Sequence, residues 1–309
     1  MLSFLPGPVR GTLSLLLMVI NTIFWTVPLV MIALFKLLIP TSRWRKFCSK
    51  IQNGIGVVWI FFNHCNLRLT NRIHWDVRGI VGLVPNKWYL VVANHQSWVD
   101  ILVLQEIFHR KIPFLKFFLK KELFWVPFLG IAWWALDYPF LERSAAAHKD
   151  METTLKACEK FRTIPVSIMN FVEGTRFSIE KHRKQRSPYV NLLKPKTGGI
   201  AFVLAAMGKQ IHSILDVTIV YPQGAQNFWA FLCGRVREIK VQVEPLPVDG
   251  ELLGDYFHDR EFRKRLMIWL NAMWAEKDKR MQALLREGHQ TDDNEEAEEP
   301  SEISRTTQL

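Results

Sequence analysis

The sequence predicts an α/β fold in which a mixed sheet is flanked by helices and is preceded by an N-terminal membrane-anchoring helical segment. Apolar, β-rich runs alternate along the chain with stretches of helical periodicity, as in strands connected by helices. Residues 11–35 carry no charge, and about twenty apolar residues suffice to cross a bilayer core. An apolar content of 49% in 309 residues is ample for a buried core, so disorder over most of the chain is excluded.

Residues 1–65 are predicted to form the membrane anchor, as one span or as a helical hairpin. The apolar run is too long for the core of a signal peptide, and no small-residue cleavage site follows it. Asn21 and Pro28 interrupt the run, so a hairpin lying in one leaflet stays open beside a straight span. Basic residues are more frequent after the run than before it, which places the rest of the chain in the cytoplasm by the positive-inside rule.

Residues 66–289 are predicted to form the folded domain. The continuously apolar run Trp88–Ala93 should be a buried strand, whereas residues 67–79 alternate in polarity and should form a half-exposed strand. Further strands are expected at 164–171, 213–221 and 236–245, and helices at 145–161 and 198–207. Near the end, apolar residues recur at helical spacing and are expected to pack in the core, namely Phe262, Leu266, Trp269, Leu270, Met273 and Trp274.

Charge is distributed unevenly along the chain. The last nineteen residues hold seven acids against Arg305, so residues 290–309 are predicted to be an acidic, disordered tail. Residues 1–290 carry 39 basic and 22 acidic side chains, a net charge of +17, which attracts anionic membranes, phosphorylated substrates or nucleic acid. Residues 181–186 are expected to form a basic loop. No nucleic-acid partner is expected, because no nucleic-acid-binding module surrounds this loop. The four cysteines lack the spacing of a disulfide framework or a zinc site.

The stretch VVANHQSWVD, residues 91–100, holds a histidine and an aspartate five positions apart. Histidine can act as a general base near neutral pH, and a nearby carboxylate fixes its tautomer and stabilises its cation. On a regular helix five positions differ by about 500° of rotation, so the pair can meet only if His95 lies in a turn and a helix begins at about Ser97. Trp98 and Val99 are then expected to serve packing. Asp100 could instead simply offset the helix dipole.

A second polar turn follows the β-rich run at 164–171. It reads NFVEGTRFS and contains Glu173, Gly174, Thr175 and Arg176. Glycine lets the backbone approach a ligand, and arginine offers a planar fork to phosphate oxygens. Taken alone, the turn could equally be held together by internal salt bridges.

Together, NHQSWVD and FVEGTR resemble the motifs of the glycerophospholipid acyltransferase family, which includes the bacterial 1-acylglycerol-3-phosphate acyltransferases. The family's middle block, which ends in arginine, resembles DYPFLERS with Arg143, and its fourth block, a strand ending in proline, resembles VTIVYP at 217–222. The four blocks occur in the family's order. One departure is Val172, which stands where the family usually has proline before Glu173.

The resemblance implies a glycerolipid acyltransferase-like sandwich and a reaction. An acyl group would pass from a thioester, on coenzyme A or acyl carrier protein, to the free hydroxyl of a lysophospholipid, most simply lysophosphatidic acid, without a cofactor. His95 would deprotonate this hydroxyl and Asp100 would hold His95. The acceptor would be bound by Arg143, Glu173, Gly174, Thr175 and Arg176. Within this set, Glu173 is expected to contact a hydroxyl and Arg176 the phosphate.

The chemistry of the residues agrees with this class of reaction. A thioester is already activated, so an alcohol can attack it directly, and the chain has neither a GxSxG motif nor a cysteine beside these blocks. The expected partners are membrane phospholipids, the lysophospholipid and the acyl donor, at the bacterial inner membrane with the domain facing the cytoplasm. The oligomeric state stays open.

Alternative functions differ in acceptor or in class. The acceptor could be another lysophospholipid, such as lysophosphatidylglycerol. From a different class comes a non-catalytic, membrane-tethered basic protein that binds anionic lipid or nucleic acid, with His95 and Asp100 only structural. A metal-dependent hydrolase is disfavoured, because no HExxH or similar ligand spacing occurs.

Overall fold

The computed structural model describes residues 2, 4–142 and 147–298. The helices are α1 (Gly7–Leu38), α2 (Ser42–Thr70), α3 (Val99–Phe108), α4 (Leu129–Ala135), α5 (Ala147–Phe161), α6 (Ile179–Gln185), α7 (Thr197–Met207), α8 (Phe228–Leu232) and α9 (Arg260–Glu298). The strands are β1 (His74–Arg78), β2 (Trp88–Ala93), β3 (Leu115–Phe117), β4 (Leu119–Lys120), β5 (Phe140–Leu141), β6 (Ser167–Phe171), β7 (Ile211–Val220) and β8 (Glu238–Leu246).

The main sheet is mixed and has six strands in the order β1-β8-β7-β2-β6-β3. β7 and β8 pair antiparallel, while β2 pairs parallel with both β6 and β7. Strands β4 and β5 form a separate two-stranded pair. The predicted α/β class with a mixed sheet flanked by helices is therefore confirmed.

β2 lies inside the sheet, and its side chains alternate between two buried layers, as the pleat requires. Tyr89, Val91 and Ala93 belong to the core on one face, with residues of α2 and α3. Leu90 and Val92 belong to the core on the other face, with residues of α5, α7 and α9. The predicted core role of the apolar stripe on α9 is confirmed, because most of its members are buried in this second layer.

The two N-terminal helices pair as an antiparallel hairpin. The Asn21 amide donates to the Trp59 carbonyl at 3.0 Å and to Asn63 Oδ1 at 2.9 Å, and the Asn66 amide donates to the Ser14 carbonyl at 2.9 Å. Asn21 is thus satisfied by α2 although it lies within the apolar run. α2 continues to Thr70, beyond the boundary expected at residue 65, and only the end of the strand expected at 67–79 is extended, as β1.

α1 is, within the described part of the chain, the one helix long and apolar enough to cross a membrane by length and composition. Its outer face is apolar and exposed, as at Phe24 and Leu34. Trp125 and Phe128 extend this surface, with exposed fractions of 79% and 50%. The apolar stretch 123–141 is therefore partly exposed, and a large apolar surface of this kind favours membrane association.

The C-terminal region differs from the expected disordered tail over part of its length. α9 runs on through Glu298, so residues 290–298 are helical, and 299–309 lie outside the described residues. Glutamate and alanine are good helix formers, which favours this continuation.

Candidate active site

The two predicted polar turns leave the sheet at one edge. β2 and β6 are parallel neighbours, and Ala93 is in register with Phe171. Residues that follow these two strands therefore emerge side by side. The peptide N–H of Phe177 donates to the His95 carbonyl at 2.7 Å, which joins the two turns directly.

Asn94 fixes the start of the first turn. Its amide group donates to the Ile219 carbonyl at 2.9 Å, and its carbonyl oxygen accepts from the Ile219 N–H at 2.8 Å. The side chain thereby takes the place of a peptide group against β7 and is completely buried. This clamp was not foreseen from the sequence, since nothing local indicates that Asn94 faces residue 219.

His95 and Asp100 are brought into contact. His95 Nδ1 lies 2.8 Å from Asp100 Oδ2, and the two side chains are 15% and 0% exposed. With an ionised carboxylate, Nδ1 carries the proton and Nε2 is the basic nitrogen. The His95 ring stacks on Phe171, with a centroid separation of 3.9 Å and an interplanar angle of 14°, which restricts its orientation.

Asp100 accepts four hydrogen bonds in a fully buried position. Besides His95, Oδ2 accepts from the peptide N–H groups of Gln96 at 2.6 Å and Ser97 at 2.9 Å, and Oδ1 accepts from the Tyr221 hydroxyl at 2.6 Å. Hydrogen bonds to an ionised group are the strong ones, and together they offset the desolvation of a buried carboxylate. Asp100 is therefore both a turn-forming residue and the partner of His95.

The helix begins later than the sequence predicted. α3 starts at Val99 with Trp98 in the capping position, and Ser97 uses its hydroxyl to donate to the Gln226 carbonyl at 2.6 Å. The carboxylate of Asp100 turns back and accepts from the N–H groups of Gln96 and Ser97 ahead of the helix, and the Ser97 hydroxyl also accepts from the Val99 N–H at 3.2 Å. His95 therefore lies in a turn directly ahead of a helix, which is the condition under which it can meet Asp100.

Tyr221 is a site residue that sequence reasoning missed. It follows β7 directly, and burial, with a further contribution from Asp100, raises the pKa of Tyr221 well above its usual range. The hydroxyl consequently stays a donor at any physiological pH. The signal in the sequence was its place in VTIVYP, beside the proline of the fourth block.

The Glu173 side chain holds the first turn through a hydrogen bond to the His95 backbone. Its side chain is completely buried, Oε1 accepts from the His95 peptide N–H at 3.0 Å, and Oε2 accepts from the Leu193 N–H at 3.2 Å. Burial raises the pKa of Glu173 to about 8. Both Glu173 oxygens accept from backbone N–H groups, so the structure does not support the expected contact between Glu173 and an acceptor hydroxyl.

Gly174 and Thr175 shape the second turn. Gly174 has a φ of +69°, and a β-carbon there would lie 3.3 Å from Lys196 Nζ, so a side chain would be strained and crowded. The Thr175 hydroxyl accepts from Lys181 Nζ at 2.9 Å, and the same ammonium donates to the Arg176 carbonyl at 2.9 Å. Lys181 lies on α6, which forms where a basic loop was expected.

Arg176 in the second turn and Lys196 at the start of α7 present their side chains to solvent. Arg176 is exposed, and its guanidinium carbon lies 5.2 Å from the centre of the Trp98 ring. Trp98 is 43% exposed, so the packing role predicted for it is wrong, whereas Val99 is buried as expected. Lys196 is exposed on the other side of Gly174. Two exposed cations that have no carboxylate partner among the described residues suit an anionic group.

Arg143, the remaining predicted acceptor-binding residue, lies outside the described residues. Val172, where proline was expected, is buried, and its carbonyl accepts from the Lys196 N–H at 2.8 Å. Among the described residues no group of three or more His, Cys, Asp or Glu side chains could hold a metal ion.

A buried ion pair lies under this edge of the sheet. Lys277 of α9 is completely buried, with Nζ 2.6 Å from Asp216 Oδ1 in β7, and Arg280 pairs with the other oxygen of the same carboxylate. Burial lowers the pKa of Lys277. The pair ties α9 to the strand whose end carries Tyr221.

A histidine held by a buried carboxylate, with exposed cations nearby in the sequence, defines the class of site in which a histidine can act as a general base beside an anionic group. Comparison with known proteins agrees with this class. The family model described as Acyltransferase matches residues 74–222, which include both turns and Tyr221. Residues 74–222 of this chain are therefore similar in sequence to the acyltransferases that this family model describes.

Individual relatives have lipid-related names. Lysocardiolipin acyltransferase 1 of Danio rerio is 26% identical over 291 residues, covering 88% of this chain and 71% of its own length. The 1-acyl-sn-glycerol-3-phosphate acyltransferase 3 of Arabidopsis thaliana is 27% identical over 237 residues, 70% of this chain and 61% of its own. The crystal structure of PlsC, the 1-acyl-sn-glycerophosphate acyltransferase of Thermotoga maritima, aligns over 89% of this chain and 98% of its own, with 19% identity and a TM-score of 0.46.

Proposed function

We propose that this protein transfers a fatty acyl group from a thioester to the free hydroxyl of a lysophospholipid, most simply converting lysophosphatidic acid to phosphatidic acid. The observation that carries the proposal is the 2.8 Å contact between His95 Nδ1 and the buried Asp100 carboxylate. This contact leaves Nε2 as the base that takes the proton of the attacking hydroxyl. Asp100 stabilises the imidazolium that forms.

The acceptor phosphate is assigned to Arg176 and Lys196. Both side chains are exposed, and neither has a carboxylate partner within the described ranges. Trp98 holds the Arg176 guanidinium in place through its ring. In this assignment Glu173 acts through the His95 backbone and is a positioning residue.

The donor is proposed to be an acyl thioester on coenzyme A or acyl carrier protein, with no further cofactor. The oxygen of the deprotonated alcohol forms a bond to the thioester carbon, and the carbon–sulfur bond breaks. The departing thiolate receives the proton that His95 took up, so the enzyme is regenerated without a covalent intermediate. A positioned base of this kind contributes about a hundred- to ten-thousandfold to the rate.

The proposed location is the bacterial inner membrane, with the catalytic domain on the cytoplasmic side. The exposed apolar face of α1 supports membrane attachment. The side is inferred from the basic residues that follow the apolar run, because such residues are retained in the cytoplasm. A second acceptor, a lysophospholipid with another headgroup, is favoured by the similarity to a protein named lysocardiolipin acyltransferase.

The test is acyl transfer by the full chain in detergent, with labelled acyl-CoA and acyl carrier protein donors and a panel of lysophospholipids. We expect His95→Ala to lose transfer to every acceptor. We expect Arg176→Ala to raise KM for phosphate-bearing acceptors more than it lowers kcat, whereas Arg183→Ala, an exposed arginine on α6, leaves KM unchanged. Full activity in His95→Ala would exclude His95 as the general base. An unchanged KM in Arg176→Ala would place the phosphate elsewhere, and absence of transfer from either donor would favour a lipid-binding protein.

A further inference from the structure

A cavity of about 540 Å³ lies between the N-terminal hairpin and α5. Its walls include the end of α1, the first turns of α2, Lys116 of β3 and one side of α5. Ile164 and Val166 in its lining precede β6, whereas Glu173 follows this strand. The cavity is therefore at the opposite end of β6 from the candidate active site and has no part in the mechanism above.

The lining is strongly basic. Asp137 is the one acidic side chain in the described lining, against the basic side chains of Lys36, Arg45, Lys46, Lys116, Lys156 and Lys160. So many cations around one cavity repel each other unless an anion lies between them. The charge of the lining thus indicates the chemistry of a ligand.

Some of these cations are already committed to protein partners. Lys36 pairs with Asp137, and Lys156 pairs with Glu152 at 2.6 Å. Lys116 is buried and donates to Asn53 Oδ1 at 3.0 Å.

Three basic side chains of the lining remain uncommitted. Arg45, Lys46 and Lys160 are exposed to the cavity or its mouth and have no carboxylate partner in the part of the chain that the structure describes. These three are the donors free to bind an anion.

The first turn of α2 adds to the attraction. Ser42 at its start lines the cavity, and this turn of the 29-residue helix contains no acidic residue. The first N–H groups of a helix lack intrahelical partners and carry a partial positive charge, so an anion is favoured there. This effect acts on the same volume as the uncommitted cations.

The other wall of the cavity is apolar and opens toward the proposed membrane surface. Leu37 and Trp134 line it and are 60% and 41% exposed. Leu34 and Leu38 of α1 are exposed next to them. A ligand that satisfies both walls has an anionic head and apolar chains.

We propose that this cavity binds the phosphate of an anionic diacyl phospholipid, with the acyl chains along the end of α1. Phosphate is common to lipid headgroups and soluble phosphate esters, and the apolar wall favours the lipid. The site is separate from that of the proposed acyl transfer. It would fix the hairpin against the domain at the membrane surface.

The test measures binding of dihexanoyl phosphatidylglycerol, dihexanoyl phosphatidylcholine and glycerophosphate to the full chain in detergent by calorimetry, with no acyl thioester present. The cavity variant is Arg45→Gln/Lys160→Gln. Its matched control is Arg260→Gln/Lys264→Gln, which removes the same charges from exposed positions of α9. Circular dichroism checks that both variants keep the fold.

We expect phosphatidylglycerol to bind more tightly than the other two ligands, and its Kd to rise about tenfold in the cavity variant while the control stays within about twofold. An unchanged Kd for phosphatidylglycerol in the cavity variant, or an equal rise in both variants, would overturn the assignment of the binding site to this cavity. Glycerophosphate binding as tightly as phosphatidylglycerol would overturn the lipid assignment in favour of a soluble phosphate ester. Because no acyl transfer is measured, these outcomes do not depend on the proposed function.

Discussion

Replacing Asp100 by asparagine removes the charge behind His95 while the turn keeps its shape. The amide has one acceptor oxygen and one NH2 group for four donors. Two of those donors, the N–H groups of Gln96 and Ser97, are fixed backbone groups pointing at the Oδ2 position. The asparagine oxygen must therefore occupy that position, where it still accepts from His95 Nδ1. The NH2 group then faces Tyr221, whose hydroxyl can rotate to accept.

The expected loss in Asp100→Asn is therefore electrostatic and does not come from a wrong tautomer. Two unit charges about 4 Å apart interact by about 4 kcal/mol at an effective dielectric constant of about 20. This interaction stabilises the imidazolium in the transition state. Its removal should lower kcat about a thousandfold, since each 1.4 kcal/mol is about tenfold. KM for the acceptor should change little, because the charge is removed behind the base and the acceptor contacts stay.

The assay is steady-state acyl transfer with a labelled thioester, at several pH values, on detergent-purified protein. A matched control is Glu106→Gln, because Glu106 Oε2 lies 3.1 Å from His64 Nδ1 in a second histidine–carboxylate pair, toward the other end of α3 from Asp100. The control should keep kcat within about twofold. A kcat for Asp100→Asn within tenfold of the wild type, or an equal loss in Glu106→Gln, would refute the electrostatic reasoning.

Other perturbations give distinct outcomes. Tyr221→Phe leaves a buried carboxylate oxygen without its hydroxyl donor and should lower the free energy of unfolding by about 1.5–3 kcal/mol. The control Tyr138→Phe loses a hydrogen bond to a neutral carbonyl and should lower it by about 0.5–1.5 kcal/mol. Equal shifts in melting temperature in the two variants would contradict this prediction. Burial raises the pKa of Glu173 from 4.5 to about 8, so between these two pH values the folded chain retains a proton that the unfolded chain releases. The free energy of unfolding should therefore fall as pH rises from 4.5 to about 8 and level off above that. Glu173→Gln should remove this decline, and an identical slope in both proteins would exclude Glu173 as its cause. Lys277→Met leaves the Asp216 carboxylate buried with one partner fewer and should destabilise the fold by about 3–5 kcal/mol, measured as a lower melting temperature. An unchanged melting temperature would argue against the ion pair as a structural element.

Much of the fold could be predicted because its signals are local. The strand Trp88–Ala93 is an uninterrupted apolar run with the same bounds in the structure. The stripe on α9 follows from helical periodicity. Residues 67–79 were harder, since α2 continues to Thr70 and only β1 is extended, and no residue type in that stretch marks the change.

The candidate site divides in the same way. His95 and Asp100 lie within one strand–turn–helix unit, so residue type and spacing were enough to predict that they meet. Tyr221 contacts Asp100 across 121 residues of chain, and Asn94 contacts Ile219 across 125 residues. No local sequence pattern can indicate contacts between residues so far apart in the chain. Trp98 shows the reverse error, since an aromatic residue at a helix start suggests packing, while the structure places it in solvent under Arg176.

By itself, the sequence determined the α/β class, the apolar N-terminal helix and the two motifs that carry the resemblance to acyltransferases, because each depends on neighbouring residues. Only the tertiary structure decided what each polar group faces. Glu173 has the side chain of a ligand-binding residue, yet parallel pairing of β2 with β6 puts it beneath the His95 turn, where both its oxygens are used by backbone N–H groups. The physical reason is that sheet register brings distant residues together, and burial then decides whether a carboxylate meets a substrate or supports the residue that does.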